Sequence, residues 1–403
     1  MQKGSTVLIT KDILMPDYLP TYGNKYWKTP NIDALALSGT VFTKHYTAAP
    51  STGMSFSAMV MGLYSHQMKG RRRYVHVEHS SEPDFLFEQL ESKDYECHII
   101  WSENYNEYAL PYSNCFSNAV IHTGLFNQFV GPHKNDDKKI VRNDNISKDT
   151  LDHIYNIIEE ICSHEKKIFL WIHLPHVLRG RIAYGDDIDL FDEIIGYLRV
   201  KFGDKNIYIS ADHGNMNGSH NVFGYGFHVY QPAIRIPLIT PRIAGLSFVD
   251  WPTSNTQLKD IMLQSKIDKM PYVLSDTKYC GQPKRRLAII KDDYKLIYNK
   301  EGKSFELYDI EYDPNENVNL LLKSHFDKDR IRNNVAKQVY FYPYWDRAEQ
   351  YYKDLMSIFK GIWIDETREE HYQNTFREVA LGMKKFPDKI RCLKDLKKGN
   401  SNF

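Results

Sequence analysis

A chain of 403 residues, 42% hydrophobic and 26% charged, is long enough to bury one large domain or a large and a small one. Its 52 Lys+Arg against 51 Asp+Glu leave no global field, which excludes a nucleic-acid partner held by bulk charge. No apolar run is long enough to form a transmembrane segment, and Cys97, Cys115, Cys162, Cys280 and Cys392 are scattered and form no C-x-x-C pair, so neither a disulfide framework nor a zinc knuckle is indicated.

The opening MQKGSTVLIT lacks an apolar signal core and enters a strand, STVLIT (5–10), almost at once. The expectation is a cytoplasmic protein, or an exported one whose signal segment has been removed. TPNIDALALSG (29–39) reads as a helix with Thr29 as cap, Pro30 at the first position and Gly39 as stop. DFLFEQLESKDY (84–95) is a second amphipathic helix, followed by the strand ECHIIW (96–101). DTLDHIYNIIEEICSHE (149–165) is a third, followed by the apolar strand KIFLWIHL (167–174). DLFDEIIGYLRVKFG (189–203) is the next helix, and NIYISADHG (206–214) a strand that ends in polar residues. Strands alternating with helices predict a mostly parallel sheet covered on both faces.

Near Asp276 the texture changes. RRLAIIKDDYKLIYNKEGKSFELYDI (285–310) alternates apolar and polar residues around Asp292–Asp293 and Glu301–Gly302, which predicts a small antiparallel sheet. The basic stretch KKFPDKIRCLKDLKK near the end reads as a solvated helical tail. The division expected is a catalytic domain over 1–275 and a C-terminal subdomain over 276–403, a small sheet and then the tail.

Three residues fall just past strand ends, where sites form in open α/β sheets: Asp12, Asp212 and His213. Carboxylates beside an imidazole suit Mn²⁺, Mg²⁺, Ca²⁺ or Zn²⁺. In AAPSTGMSFSAMVMG (48–62), three hydroxyls, Ser51, Thr52 and Ser55, stand where a helix begins. Each could be a cap or a nucleophile.

Five stretches carry a resemblance to a known family. DILMPDYLPTYG (12–23), TPNIDALALSGTVF (29–42), ISADHGNMNGSHN (209–221), IRIPLI (234–239) and ELYDIEYDPNENVNL (306–320) occur in order, and together they resemble motifs of the sulfatase branch of the alkaline phosphatase superfamily. The resemblance implies an alkaline-phosphatase-like α/β fold. It also implies that Thr52, counted back from Gly62 and two residues after Pro50, stands where sulfatases carry the cysteine or serine oxidised to formylglycine.

Threonine cannot undergo that oxidation. The family's neighbouring proline and arginine are Met54 and Phe56 here, and the second aspartate of its D-D pair is Ile13. In these respects the site resembles the threonine-nucleophile branch of lipoteichoic acid synthases and phosphoethanolamine transferases. That likeness implies one divalent ion, Mn²⁺ first, held by Asp12, Thr52, Asp212 and His213. His176 resembles the family's substrate-side histidine and His228 falls near its substrate lysine, so these two are the candidate general acids, with His173 and His220 behind them. The function expected is phosphoryl transfer or phosphodiester cleavage on a phosphate-substituted glycan or lipid precursor. The alternatives are a sulfatase-like hydrolase of sulfate or phosphonate esters without formylglycine, and an inactive binding protein that keeps the fold.

Overall fold

The computed structural model describes residues 4–68, 70–71, 74–75, 85–101, 119–122, 145–175, 188–278, 280, 285–321 and 347–362. Two compact units divide the chain, Met1–Leu355 and Met356–Phe403. In the second, the described residues 356–362 are helical.

The first unit begins with β1 (Thr6–Lys11), α1 (Pro30–Ser38), β2 (Thr40–Phe42), β3 (His45–Tyr46) and α2 (Thr52–Met61). A short ribbon of β4 (Gly70–Arg71) and β5 (Tyr74–Val75) precedes α3 (Leu86–Glu91), β6 (Tyr95–Ile100) and β7 (Ala119–His122). Then come α4 (Asn145–Cys162), β8 (Lys167–Leu174), α5 (Ile188–Phe202), β9 (Ile207–Ala211), α6 (Gln231–Ile234) and β10 (Leu238–Thr240). After them come β11 (Phe248–Val249), β12 (Thr253–Ser254), α7 (Leu258–Gln264) and β13 (Val273–Asp276). The last strands are β14 (Arg286–Lys291), β15 (Tyr294–Asn299) and β16 (Ser304–Asp309).

Among the described residues, eight strands form the main sheet in the order β11-β2-β10-β9-β1-β8-β6-β7. All pairings are parallel except the two made by β10. Side chains alternate between faces along each strand, and both faces are apolar. Leu8, Phe169 and Trp171 point into a core with Met54, Phe56, Leu86 and Leu258 of α2, α3 and α7. Val7, Ile9, Leu170 and Ile172 point into a second core with Ile32, Ile158, Phe191 and Ile194 of α1, α4 and α5. Continuous apolar strands are what a parallel sheet buried on both faces requires.

Helix α2 is enclosed by protein: nine of its ten residues, all but Gly53, are buried. Phe56 stacks on Trp101 at 5.7 Å and meets Trp171 edge-on at 4.9 Å. A position where the resemblance expects arginine is thus a core aromatic. Gly62, with φ of 70°, closes the helix in the left-handed region, where glycine costs least.

The expected small sheet is present, with four strands in the order β13-β14-β15-β16, all antiparallel. Its inner face, Ala288, Ile290, Ile297 and Tyr308, packs on Tyr46, Met216, Val229 and Ile234. One ion pair pins this sheet from inside. Lys295 of β15 and Glu316 are 0% and 1% exposed, with Nζ 2.6 Å from Oε1. The other Glu316 oxygen accepts the Gln231 amide at 2.6 Å, at the start of α6. Most of the expected helical tail lies outside the described residues. Residues 347–355 are helical, and there Tyr351 stacks on Tyr294 at 4.4 Å.

Lys295→Met should strand a buried carboxylate and cost about 3–5 kcal/mol in urea unfolding. Lys269→Met, which breaks an exposed pair with Asp292, should cost less than about 1 kcal/mol. Equal effects would show that the buried pair does not pin the sheet.

Candidate metal and nucleophile site

Strands β1 and β9 are neighbours, with Lys11 opposite Ala211. The next residue of each, Asp12 and Asp212, therefore emerges at adjacent carboxyl ends, and His213 follows. Their ligand atoms all lie within 4.8 Å of one another. His213 Nε2 is 3.7 Å from Asp12 Oδ1 and 3.4 Å from Asp212 Oδ2. Burial, and then the Asp212 carboxylate, push the Asp12 carboxyl up from its ordinary value.

The backbone aims each donor. Asp212 Oδ1 accepts the amides of His213 at 2.7 Å and Ile13 at 3.2 Å. Its Oδ2 is buried and, among the described residues, accepts no hydrogen bond. Ile13 reaches this geometry at φ of 57°, an outlier for a β-branched residue that costs on the order of 1–3 kcal/mol. His213 Nδ1 lies 2.9 Å from the Gly214 carbonyl. A carbonyl only accepts, so Nδ1 carries the proton and the Nε2 lone pair faces the carboxylates. Gly214 is needed for close approach, since a Cβ there would lie 2.0 Å from the Pro232 carbonyl oxygen. Its φ is not positive, so packing rather than a tight turn demands glycine.

The three candidate hydroxyls at the start of α2, Ser51, Thr52 and Ser55, have three different partners. Ser51 is the N-cap residue of α2, with its Oγ donating to Cys280 Sγ at 3.1 Å. Ser55 is buried and donates to the Asp212 carbonyl at 2.6 Å, while Asn255 Nδ2 donates to it at 3.0 Å. Thr52, the first helical residue, has Oγ1 3.3 Å from His213 Nε2. The positive end of the α2 dipole lies behind that oxygen.

An orphaned buried carboxylate oxygen, an imidazole lone pair and two further oxygens facing one point fit a divalent cation. Asp12, Asp212 and His213 would hold it, with Thr52 beside them.

Of the candidate histidines, His173 is beside the site, close enough for a charge on its ring to act on Asp12 and His213. His176 lies outside the described residues. His228 stacks on Tyr230 at 5.4 Å and meets Phe227 edge-on at 5.3 Å. His220 also stacks on Tyr230, with ring centroids 3.9 Å apart. His173 is buried, with Nδ1 2.8 Å from Thr10 Oγ1. Burial holds its imidazole down at about 3, so it stays neutral.

Sequence reasoning missed three contributors. Tyr225 lies over His213 with ring centroids 4.4 Å apart. Lys11 is buried and donates to the Asp12 carbonyl at 3.2 Å, placing a cation next to the site. Asn255 is buried and holds Ser55. The first lies in a loop and the third some 200 residues from its partner, so no local pattern marks them.

Asp212→Asn should lower bound Mn²⁺ by elemental analysis and remove the rise in Tm that Mn²⁺ gives the parent. Ser51→Ala should leave both unchanged. Full metal content in Asp212→Asn would exclude the ligand assignment.

Residues 5–178 match the family model described as Sulfatase. An arylsulfatase of Clostridium perfringens is 23% identical over 218 residues, 45% of this chain and 44% of that protein. The match thus spans less than half of that relative's length. Among solved structures, a 2-O GAG sulfatase aligns with a TM-score of 0.60 at 16% identity, covering 87% of this chain and 93% of that one. The phosphonate monoester hydrolase of Agrobacterium radiobacter aligns with a TM-score of 0.58 at 14% identity, covering 83% and 94%. Residues 5–178 are thus similar to a sulfatase-family domain, and the chain shares its fold with sulfatases and a phosphonate monoester hydrolase.

Proposed function

We propose that the chain is a hydrolase of sulfate or phosphonate monoesters carried on an organic alcohol, with Thr52 as an unmodified nucleophile. The observation that carries this reading is the convergence of Thr52 Oγ1, Asp12, Asp212 and His213 at the carboxyl ends of two adjacent strands. The relatives support hydrolysis: one is named an arylsulfatase, one a 2-O GAG sulfatase and one a phosphonate monoester hydrolase. The transferase expectation drawn from Thr52, Met54, Phe56 and Ile13 finds no counterpart among those three.

The chain's residues divide the work as follows. The N-terminus of α2 sets Thr52 Oγ1 in a positive field that favours its oxygen as an attacking group. Attack at sulfur or phosphorus joins that centre to Oγ1 and expels the ester alcohol. Water attacking the same centre then releases sulfate or phosphonate and restores the hydroxyl. Ser55 and Asn255 hold the first turn of α2 against the Asp212 backbone. The Lys11 charge offsets part of the negative charge of the arriving ester. A divalent cation held by Asp12, Asp212 and His213 would supply Lewis-acid polarisation of the oxyanion.

The test is a rate comparison with Mn²⁺ on aryl sulfate, aryl phosphonate monoester and aryl phosphodiester. Sulfate or phosphonate should be turned over faster than the phosphodiester, and the reverse order would sink the proposal. Thr52→Ala should lower turnover by about 10⁴-fold or more, as for a nucleophile acting within a unit. Its folding stability should change by less than about 1 kcal/mol, because alanine is a good helix former. Thr52→Ser should keep part of the activity, and Ser51→Ala nearly all of it. Intact-mass analysis after brief mixing with substrate should place the adduct on the Thr52 peptide. An adduct on Ser51 or Ser55 would move the nucleophile.

A further inference from the structure

At the other side of the sheet, away from the site above, a second group of ligand-type side chains converges. Glu96 and His98 are two residues apart on β6, so they share one face of the strand. That face looks toward α4, whose Ile154, Ile158 and Ile161 pack in the same core as Ile100. His164 sits in the turn that joins α4 to β8, beside the register pair Glu96–Ile168. β7, next to β6, brings His122 to the same face.

The distances are short. Glu96 Oε1 lies 3.0 Å from His98 Nε2 and 2.8 Å from His164 Nδ1. The ligand atoms of Glu96, His98 and His164 all lie within 4.8 Å of one another. The second nitrogen of His98, Nδ1, is 3.1 Å from His122 Nε2. The side chains of His98, Glu96 and His164 are 4%, 24% and 46% exposed, so the group is rooted in the protein and open to water at one side.

We propose that Glu96, His98 and His164 form a zinc site, with His122 orienting the His98 ring. Two imidazoles and one carboxylate, with a fourth position open to water, are a known zinc donor set. Nitrogen-rich donors favour zinc over magnesium or calcium, which take oxygen. Ligand atoms on a tetrahedral zinc lie roughly 3.3 Å apart, so the present spacing needs only small side-chain movements. A metal-binding histidine commonly makes a hydrogen bond through its other nitrogen, which fixes the ring and its tautomer. His122 is placed to make that bond. Zinc here would clip the edge of the sheet to the α4–β8 turn.

The test uses full-length protein stripped of metal and then titrated with Zn²⁺ and Co²⁺. His164→Gln should bind one equivalent of zinc fewer than the parent and lose the visible absorption of tetrahedral Co²⁺. His164 is half exposed, so this variant should fold. Asp212→Asn should keep that absorption, which separates this site from the one at the strand ends. Zinc should raise the Tm of Asp212→Asn and leave that of the Asp212→Asn/His164→Gln double variant unchanged. His122→Gln should weaken zinc binding about 10- to 100-fold. Equal zinc content in the parent and His164→Gln would overturn the site, and unchanged affinity in His122→Gln would overturn the orienting role.

Discussion

Two carboxylates leave adjacent parallel strands side by side, and the rest of the candidate site is arranged around their repulsion. Asp12 and Asp212 are buried at the ends of β1 and β9, where water cannot screen them. Two backbone amides satisfy one oxygen of Asp212, and the remaining charge is left for a cation. The His213 lone pair, fixed by the Gly214 carbonyl, faces the same point.

The proposed nucleophile depends on that constraint through α2. A helix buried on nearly every side cannot shift without disturbing the aromatic packing of Phe56, Trp101 and Trp171. Ser55 ties its first turn to the backbone of Asp212 itself. Thr52, three residues earlier, is therefore held relative to His213 by packing and by one short hydrogen bond. The two outer serines serve the scaffold, which is why three similar hydroxyls in one turn need not share one role.

The small sheet solves a different problem. It covers apolar surface around Tyr46, Met216 and Ile234, and it buries a lysine and a glutamate in doing so. The pair is costly in isolation, but Glu316 also accepts the first amide of α6. The D-P-N-E stretch is thereby joined to the segment that follows the D-H-G turn. Packing of this kind makes the C-terminal strands part of the support for the site.

The sequence by itself determined the alternation of strands and helices, because apolar periodicity and capping residues are local. KIFLWIHL became a strand over the residues expected, and 285–310 became antiparallel strands turning at Asp292 and near Gly302. It also determined Asp12, Asp212, His213 and Thr52 as candidates, since motif spacing survives when overall identity is low. Tertiary structure alone decided the strand order and the place of β13, which pair through hydrogen bonds that leave no local pattern. It likewise decided which hydroxyl faces His213 and that Phe56 fills the core. The Glu96, His98, His122 and His164 cluster was equally hidden. Its members span 69 positions and meet only because β6, β7 and the α4–β8 turn are neighbours in the sheet. Contacts made across folded distance depend on which surfaces bury each other, and no stretch of chain records that alone.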